Sequence, residues 1–288
     1  MKTIIDIITD KKPSLSFEVF PPKQGDAYES MKYAIEGIAA LRPSYMSVTY
    51  GAGGGTSALT LSTAVDILEN YGVTPLVHLS CVSSTKEDIR HRLAEFRQNG
   101  IGNILALRGD IPEGQDTKTL EYHYASELTR DIQGEGGFCV GGACYPEGHP
   151  ESPSSFDDIR FLKEKVACGC EFLTTQMFFD NNILYNFLYR LREAGVTVPV
   201  VAGIMPVTNP KQIKRICSIS KTLLPQRFCR IVERYGDKPE AMMQAGIAYA
   251  TEQIIDLYAN GINAVHVYSM NKPEVAERIQ SNLSHVVS

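Results

Sequence analysis

Short runs dense in Val, Ile, Leu and Phe alternate with longer stretches of helical period from one end of the chain to the other. The runs near Leu15–Phe20, Tyr45–Thr49, Pro75–Leu79, Asn103–Arg108, Phe138–Ala143, Phe172–Gln176, Pro199–Ile204 and Ala264–Tyr268 read as strands. The segments between them read as helices. Met31, Ala34, Ile35, Ile38 and Leu41 give the helix after strand one an apolar stripe at the 3.6-residue period. Asp26 with Glu29, and Ser84 with Glu87, have capping-box spacing, in which each side chain satisfies an otherwise unpaired amide. Asn209-Pro210, Pro239 and Pro273 read as helix entries, where proline has no amide to waste. Gly72, Gly100, Gly169, Gly195 and Gly261 each follow a helical pattern and precede a strand, the place for a left-handed C-terminal residue.

Most strands begin roughly 30 residues after the last, the length of a βα unit. The interval before the final strand is long enough for extra helices. No Pro/Gly/Ser linker or charge run interrupts the series. Eight such units predict an α/β fold: a single (β/α)8 TIM barrel over residues 1–288, with extra helices before strand eight. An open doubly wound sheet is the alternative.

Strands buried on both faces should be almost wholly apolar, because an unpaired polar group there costs about 1–3 kcal/mol. The exceptions are therefore informative. Counting by twos pairs Ser16 with Glu18, Ser47 with Thr49, His78 with Ser80, Arg108 with Asp110, Ala143 with Tyr145, Thr174 with Gln176, and His266 with Tyr268. One parity per strand is what a barrel lumen collects. These residues also sit at the C-terminal ends of their strands, where catalytic groups of such barrels gather. Taken singly, each has a plainer explanation: a core hydroxyl bonded to backbone, a satisfied core histidine, or an Arg108–Asp110 ion pair closing the barrel. Taken together they predict a functional mouth.

Glu18 stands among Phe17, Val19 and Phe20, with Pro21-Pro22 stopping the strand behind it. A carboxyl in such company loses hydration of its charged form, so its pKa rises toward neutrality and it becomes a proton donor at physiological pH. A buried Glu paired with a basic neighbour is the competing reading. The run Gly51-Ala52-Gly53-Gly54-Gly55-Thr56 lacks both the third small residue of a dinucleotide fingerprint and the Gly-Lys of a phosphate loop. It reads as a flexible mouth loop that a ligand can approach closely.

Composition narrows the function by exclusion. With 43% hydrophobic and 21% charged residues the chain buries a full core, which excludes intrinsic disorder. Its 28 Lys and Arg against 33 Asp and Glu leave a formal charge of −5, which argues against nucleic acid as partner. The longest nearly unbroken apolar stretch, Val196 to Val207, contains Thr197, two prolines and a glycine and is too short to cross a bilayer. Met1 to Lys12 lacks a signal-peptide apolar block, so a cytoplasmic protein with no membrane partner is expected. Seven cysteines, at 81, 139, 144, 168, 170, 217 and 229, form no C-x-x-C pair. They read as buried thiols, with metal or redox use as the alternative.

Five ordered motifs point to a family. Ser16-Phe17-Glu18-Val19-Phe20-Pro21-Pro22-Lys23, Ser47-Val48-Thr49-Tyr50-Gly51, Ala106-Leu107-Arg108-Gly109-Asp110, Tyr145-Pro146-Glu147-Gly148-His149-Pro150-Glu151 and Thr175-Gln176-Met177-Phe178-Phe179-Asp180 together resemble methylenetetrahydrofolate reductase. The likeness runs on to Val267-Tyr268-Ser269-Met270-Asn271 and so covers essentially the whole chain.

The resemblance implies an FAD-dependent barrel that reduces 5,10-methylenetetrahydrofolate to 5-methyltetrahydrofolate with NADH or NADPH, in ping-pong order. It implies Glu18 as the general acid for opening the folate's five-membered ring. Asp110 falls between the flavin pyrimidine edge and the pterin, where a carboxylate disfavours anionic reduced flavin. The implied FAD contacts are Thr49, Tyr50, Ala52, His78, Arg108, Gly109, Asp110, Tyr124, Ala125, Tyr145, His149, Asp158 and Lys165, with Thr49 also near the nicotinamide. Folate-side contacts fall on Glu18, Asp110, Gln176, Gln212 and Lys272. Lys272 replaces an arginine, and so a two-pronged carboxylate clamp by a point charge. Ile216 stands where some members carry a stacking aromatic.

The chain ends soon after strand eight, so the resemblance implies the catalytic barrel without the regulatory extension of eukaryotic members. A homo-oligomer is expected, and a redox partner protein is compatible with the pattern. Two other functions fit the same residues: a folate-binding methyltransferase barrel without flavin, and a redox subunit that needs a partner.

Overall fold

Strands β1 (Ser14–Val19), β2 (Met46–Val48), β3 (Pro75–Ser80), β4 (Asn103–Leu107), β5 (Cys139–Cys144), β6 (Phe172–Thr175), β7 (Val200–Ile204) and β8 (Ala264–Val267) pair in parallel, each with its successor. β8 returns to β1 with Ser16 opposite His266, so the barrel closes in sequence order. The computed structural model describes residues 2–21, 28–50, 57–82, 84–111, 114 and 116–287. The helices between strands are α2 (Tyr28–Ala39), α3 (Ser57–Tyr71), α4 (Lys86–Gln98), α5 (Ala125–Glu135), α6 (Ser155–Ala167) and α7 (Asn181–Glu193). Between β7 and β8 come α8 (Pro210–Ser220), α9 (Gln226–Tyr235) and α10 (Pro239–Ala259), and α11 (Pro273–Asn282) closes the series. The expected (β/α)8 barrel with extra helices before strand eight is the observed fold.

The punctuation works as the residue types dictate. All five helix-ending glycines have positive φ, between 64° and 104°, and prolines 210, 239 and 273 each open a helix. One cap moves: α4 is closed by Thr85 with Asp88, both halves of the box formed, rather than by Ser84 with Glu87. A Thr one residue later serves equally well, and spacing alone does not choose between them. The Asp26–Glu29 box involves a residue outside the described ones.

Alternation sorts the strand side chains into two cores. Leu15, Phe17, Val19, Val77, Leu79, Ile104, Ala106, Val265 and Val267 face the helices and pack with residues such as Ile35, Ile38, Leu93 and Phe96. The opposite face fills the lumen. Its N-terminal end is plugged by α1 (Ile4–Ile8), whose Ile4, Ile7 and Ile8 pack on Tyr45, Leu76, Leu105, Phe172, Val201 and Ala264. Burial of each such isoleucine stabilises by about 1.5–3 kcal/mol. The plug is oriented by a Thr3–Asp6 capping box and by Ile4 N–H donating to Asn103 Oδ1 at 2.9 Å. Apart from Asn103, which holds the plug, the polar side chains described below lie toward the open, C-terminal end. A third cluster, with Met177, Phe179, Met205, Val207, Ile213, Phe228 and Met242, builds up the rim beyond β6 and β7.

The parity expected of β4 is off by one. β4 turns Leu105 and Leu107 toward the lumen and Ala106 toward the helices. Arg108 and Asp110 therefore belong to the loop after the strand, where Gly109 takes φ +85°. The seven cysteines are free thiols: four are buried, and Cys168, Cys217 and Cys229 are half-buried. Among the described residues no helix is long and apolar enough to cross a membrane.

Candidate active site

The first of two polar groups occupies the upper lumen. Ser16 and Ser47, on β1 and β2, hold the two ring nitrogens of His266 at 2.8 and 2.9 Å. The Tyr45 ring stacks on the same imidazole, centroids 5.5 Å apart. Burial pushes His266 down to about 3, so it is a neutral, fully bonded core histidine. Tyr268 stands edge-on above it and donates its hydroxyl to the Thr175 carbonyl at 2.6 Å. Gly203 makes the room: a Cβ there would meet the Tyr268 hydroxyl at 2.6 Å.

One layer higher, Glu18 Oε2 lies 3.8 Å from His78 Nε2. Both side chains are about nine-tenths buried. Burial raises Glu18 to about 8 and lowers His78 to about 4. At pH 7 the contact therefore joins a protonated carboxylic acid to a neutral imidazole. His78 is the basic neighbour that Glu18 meets among the described residues, and burial, by lowering its pKa, sets it against the carboxyl as a neutral imidazole. His78 Nε2 has no hydrogen-bond partner among the described residues, which leaves a buried polar atom for a ligand to meet.

The second group lines a cleft of about 750 Å³ running outward between the ends of β4 and β5 and helices α5 and α6. Tyr50, Arg108, Gly109, Asp110, Tyr124, Ala125, Tyr145, His149, Asp158 and Lys165 all line it. Ten residues assigned to a cofactor by resemblance thus share one cavity, within the size range of cofactor sites. β3 joins the two groups: His78 touches Glu18, and Ser80, two residues on along the same face, lines the cleft.

Within the cleft Arg108 is held by Glu151 in a two-pronged pair at 2.5 and 2.7 Å. That hydrogen bonding holds the guanidinium above and the carboxyl below their ordinary values. Arg108 does not pair with Asp110, so the barrel-closing pair expected as an alternative is replaced by one to Glu151. Lys165 donates to the Ala143 carbonyl at 2.7 Å, and Asp158 accepts from Ser152 Oγ at 3.0 Å. Tyr145 and His149 pack edge to face, and burial pushes Tyr145 up and His149 down.

The remaining expected residues lie elsewhere on the mouth. Thr49 follows β2 and donates its N–H to the Val19 carbonyl at 3.1 Å. Gln176 follows β6 and accepts from Met177 N–H at 2.9 Å; its amide slightly offsets the upward push of burial on Tyr145. Lys272, at the start of α11, donates to Thr208 Oγ1 at 2.8 Å and does not line the cleft. Ile216 packs on the rim cluster. Ala52 and the rest of its glycine run, and the side chain of Gln212, lie outside the described residues. Residue patterns missed Glu151 and Ser152, whose partners are fixed only by the fold.

A closed (β/α)8 barrel with a buried acid at its mouth and a cofactor-sized cleft beside it is the class this fold and site define. A family model described as methylenetetrahydrofolate reductase matches residues 3–284. The chain belongs to the methylenetetrahydrofolate reductase family. It is 36% identical over 285 residues to methylenetetrahydrofolate reductase (NADH) 1 of Arabidopsis thaliana, covering 94% of this chain and 48% of that one. Against the 5,10-methylenetetrahydrofolate reductase of Escherichia coli K12 it is 32% identical over 266 residues, 92% of this chain and 89% of that one. The chain spans about half the length of the plant relatives it matches. Among solved structures, an uncharacterised Clostridium thermocellum protein that binds two copies of 5-methyl-5,6,7,8-tetrahydrofolic acid superposes with TM-score 0.67 at 15% identity, covering 97% and 98% of the two chains. That likeness concerns the fold.

Proposed function

We propose that this chain reduces 5,10-methylenetetrahydrofolate to 5-methyltetrahydrofolate, with FAD in the cleft and NADH or NADPH as electron donor. The observation that carries the reading is Glu18: a carboxyl kept protonated near pH 7 by burial, at a barrel mouth with a cofactor-sized cleft beside it, which Glu18 and His78 do not themselves line. Family membership supports the substrate, and the plant relatives are named for NADH.

The residues present fit FAD. The cleft offers the Lys165 ammonium and the outer N–H groups of Arg108, whose fork is engaged by Glu151, for phosphate, Tyr50, Tyr124 and Tyr145 for ring faces, and close backbone approach at Gly109. When bound, the flavin supplies a hydride. The folate ring must first open, and this needs a proton on a ring nitrogen as the C–N bond breaks. Glu18 donates that proton and is left as carboxylate, and the iminium carbon so formed takes the hydride. His78, neutral at 3.8 Å, lends no positive charge that would draw the proton off Glu18 beforehand. Asp110 lines the cleft and is the residue that, by the family resemblance, would stand near the redox ring, where a carboxylate would disfavour anionic reduced flavin. Gln176 and Lys272 would hold the folate side of the mouth, where the family resemblance also assigns Gln212. One mouth serves nicotinamide and folate in turn, which gives ping-pong order.

The test is anaerobic. Purified chain supplied with FAD should be yellow, bleach with NADH or NADPH, and recolour with methylenetetrahydrofolate while 5-methyltetrahydrofolate appears. A chain that takes up no FAD, or that transfers a methyl group without a visible flavin spectrum, contradicts the proposal.

A further inference from the structure

The last register pair between β1 and β8 is Phe17 with Val267. Glu18 lies one residue past it, on a strand end that β8 no longer accompanies. Backbone direction matters here. Odd residues of β1 turn toward β2, as Val19 does in accepting from Thr49 N–H. Even residues turn toward β8, as Ser14 does in donating to the Asn263 carbonyl at 2.7 Å. Glu18 and Phe20 thus present backbone groups to an edge where the ladder has run out.

Two side chains from the loop after β8 take the place of the missing strand. Ser269 Oγ donates to the Glu18 carbonyl at 3.4 Å. Asn271 makes both bonds a strand residue would make: its Oδ1 accepts from Phe20 N–H at 2.8 Å and its Nδ2 donates to the Phe20 carbonyl at 3.0 Å. A primary amide is the side-chain group that carries one donor and one acceptor in backbone-like geometry. To present it, Met270 and Asn271 both adopt left-handed backbone, φ +58° and +54°. Asn tolerates that conformation, whereas for Met it costs about 1–2 kcal/mol. Strain of this kind persists where the surrounding contacts hold it in place.

We propose that Asn271 is a positioning residue for Glu18, its amide completing the β1 ladder beyond the end of β8 and so fixing the strand end that carries the acid. The inference rests on the role given to Glu18 above. Among the described residues, groups facing the carboxyl are His78 from β3 and the Tyr268 phenol from β8; the side-chain hydrogen bonds of Asn271 go to the Phe20 backbone, so it acts on Glu18 through the strand.

The experiment compares wild type, Asn271→Gly, Asn271→Asp and Glu18→Gln, each loaded with FAD, by anaerobic stopped flow of the two half-reactions separately and across pH. Glycine suits φ +54°, so Asn271→Gly removes the amide without new strain. Circular dichroism and flavin content check that each variant folds. In Asn271→Gly, reduction by NADH should be unchanged and the folate half-reaction should slow on the order of 10- to 100-fold, the cost of a misplacement near 1 Å. Its alkaline midpoint should fall, because a released strand end rehydrates the carboxyl. Asn271→Asp keeps the acceptor for Phe20 N–H but sets a carboxylate oxygen against the Phe20 carbonyl, and should slow the folate half-reaction at least as much as Asn271→Gly. Wild-type rate and midpoint in Asn271→Gly, beside an impaired Glu18→Gln, overturn this inference alone. Equal loss of both half-reactions in Asn271→Gly also overturns it, since that is a general structural defect. A Glu18→Gln variant that reduces folate at the wild-type rate overturns the assignment of Glu18 and this inference with it.

Discussion

Glu18 and His78 meet at 3.8 Å inside the barrel mouth with neither side chain charged at neutral pH. Two ionisable groups at that distance form an ion pair in water-exposed settings. Here burial removes the hydration of both charged forms, and the loss exceeds what their attraction returns. The result is a carboxyl that holds a proton where an ordinary glutamate has lost it.

Replacement of the acid should separate the two halves of the reaction. Glu18→Gln keeps the shape and the burial but has no proton to give. Folate reduction should fall by about 10²- to 10⁴-fold, the range for loss of a general acid, while FAD binding and NADH oxidation persist. In wild type the folate step should decline as pH rises through about 8, where Glu18 loses its proton. Stopped-flow rates at a series of pH values check both statements.

Stability should carry the same signature, with the sign set by the direction of the shift. Glu18 is raised in the fold from 4.5 to about 8, so its contribution is fully present below about 4.5 and is lost as pH rises toward 8. His78 is lowered from 6.5 to about 4, so its contribution is present above 6.5 and is lost as pH falls toward 4. Thermal melts of wild type and Glu18→Gln should diverge between pH 5 and 9, with wild type the relatively less stable at the alkaline end, by up to a few kcal/mol. Parallel melting curves over that range would count against the burial of the carboxyl.

Flavin affinity should depend on Arg108. Arg108→Ala removes the fork now held by Glu151, and dissociation of FAD should become about 10- to 100-fold easier, the worth of a charge-assisted hydrogen bond or two. Quenching of flavin fluorescence on titration with apoprotein measures it. Arg108→Lys should recover only part of the loss, because an ammonium lacks the two-pronged geometry.

Gly203→Ala tests the packing beneath the acid. The added methyl would run into the Thr175 backbone carbonyl and stand 2.6 Å from the Tyr268 hydroxyl that bonds to it, and overpacking of this kind costs about 1–3 kcal/mol, occasionally more. Chemical denaturation should show that loss, together with a changed tyrosine near-ultraviolet signal as Tyr268 is displaced.

Most of the architecture is visible in the residue pattern because the pattern has a local cause. A helix needs a left-handed residue to end it, and the five glycines before strands all serve that way. A strand buried on both faces is apolar, so Glu18 and His78 stand out. Errors arise where geometry leaves the strand. Counting by twos from Arg108 and Asp110 places them in the lumen, but β4 turns Leu105 and Leu107 inward and ends at Leu107, and with the turn at Gly109 Arg108 and Asp110 line the cleft instead. Non-local partners are hidden for a different reason. Glu151 lies 43 residues from Arg108, and Asn271 lies 251 from Phe20; no spacing rule connects them until the barrel closes. Both sit inside motifs conspicuous for other residues.

Whether Glu18 carries a proton at pH 7 can be read directly by infrared difference spectroscopy of wild type against Glu18→Gln. The expected result is a carboxylic-acid carbonyl band at pH 7 that is missing in the variant and titrates away with a midpoint near 8. A carboxylate band already present at pH 7, with a midpoint near the ordinary 4.5, would remove the proton donor on which the proposed chemistry depends.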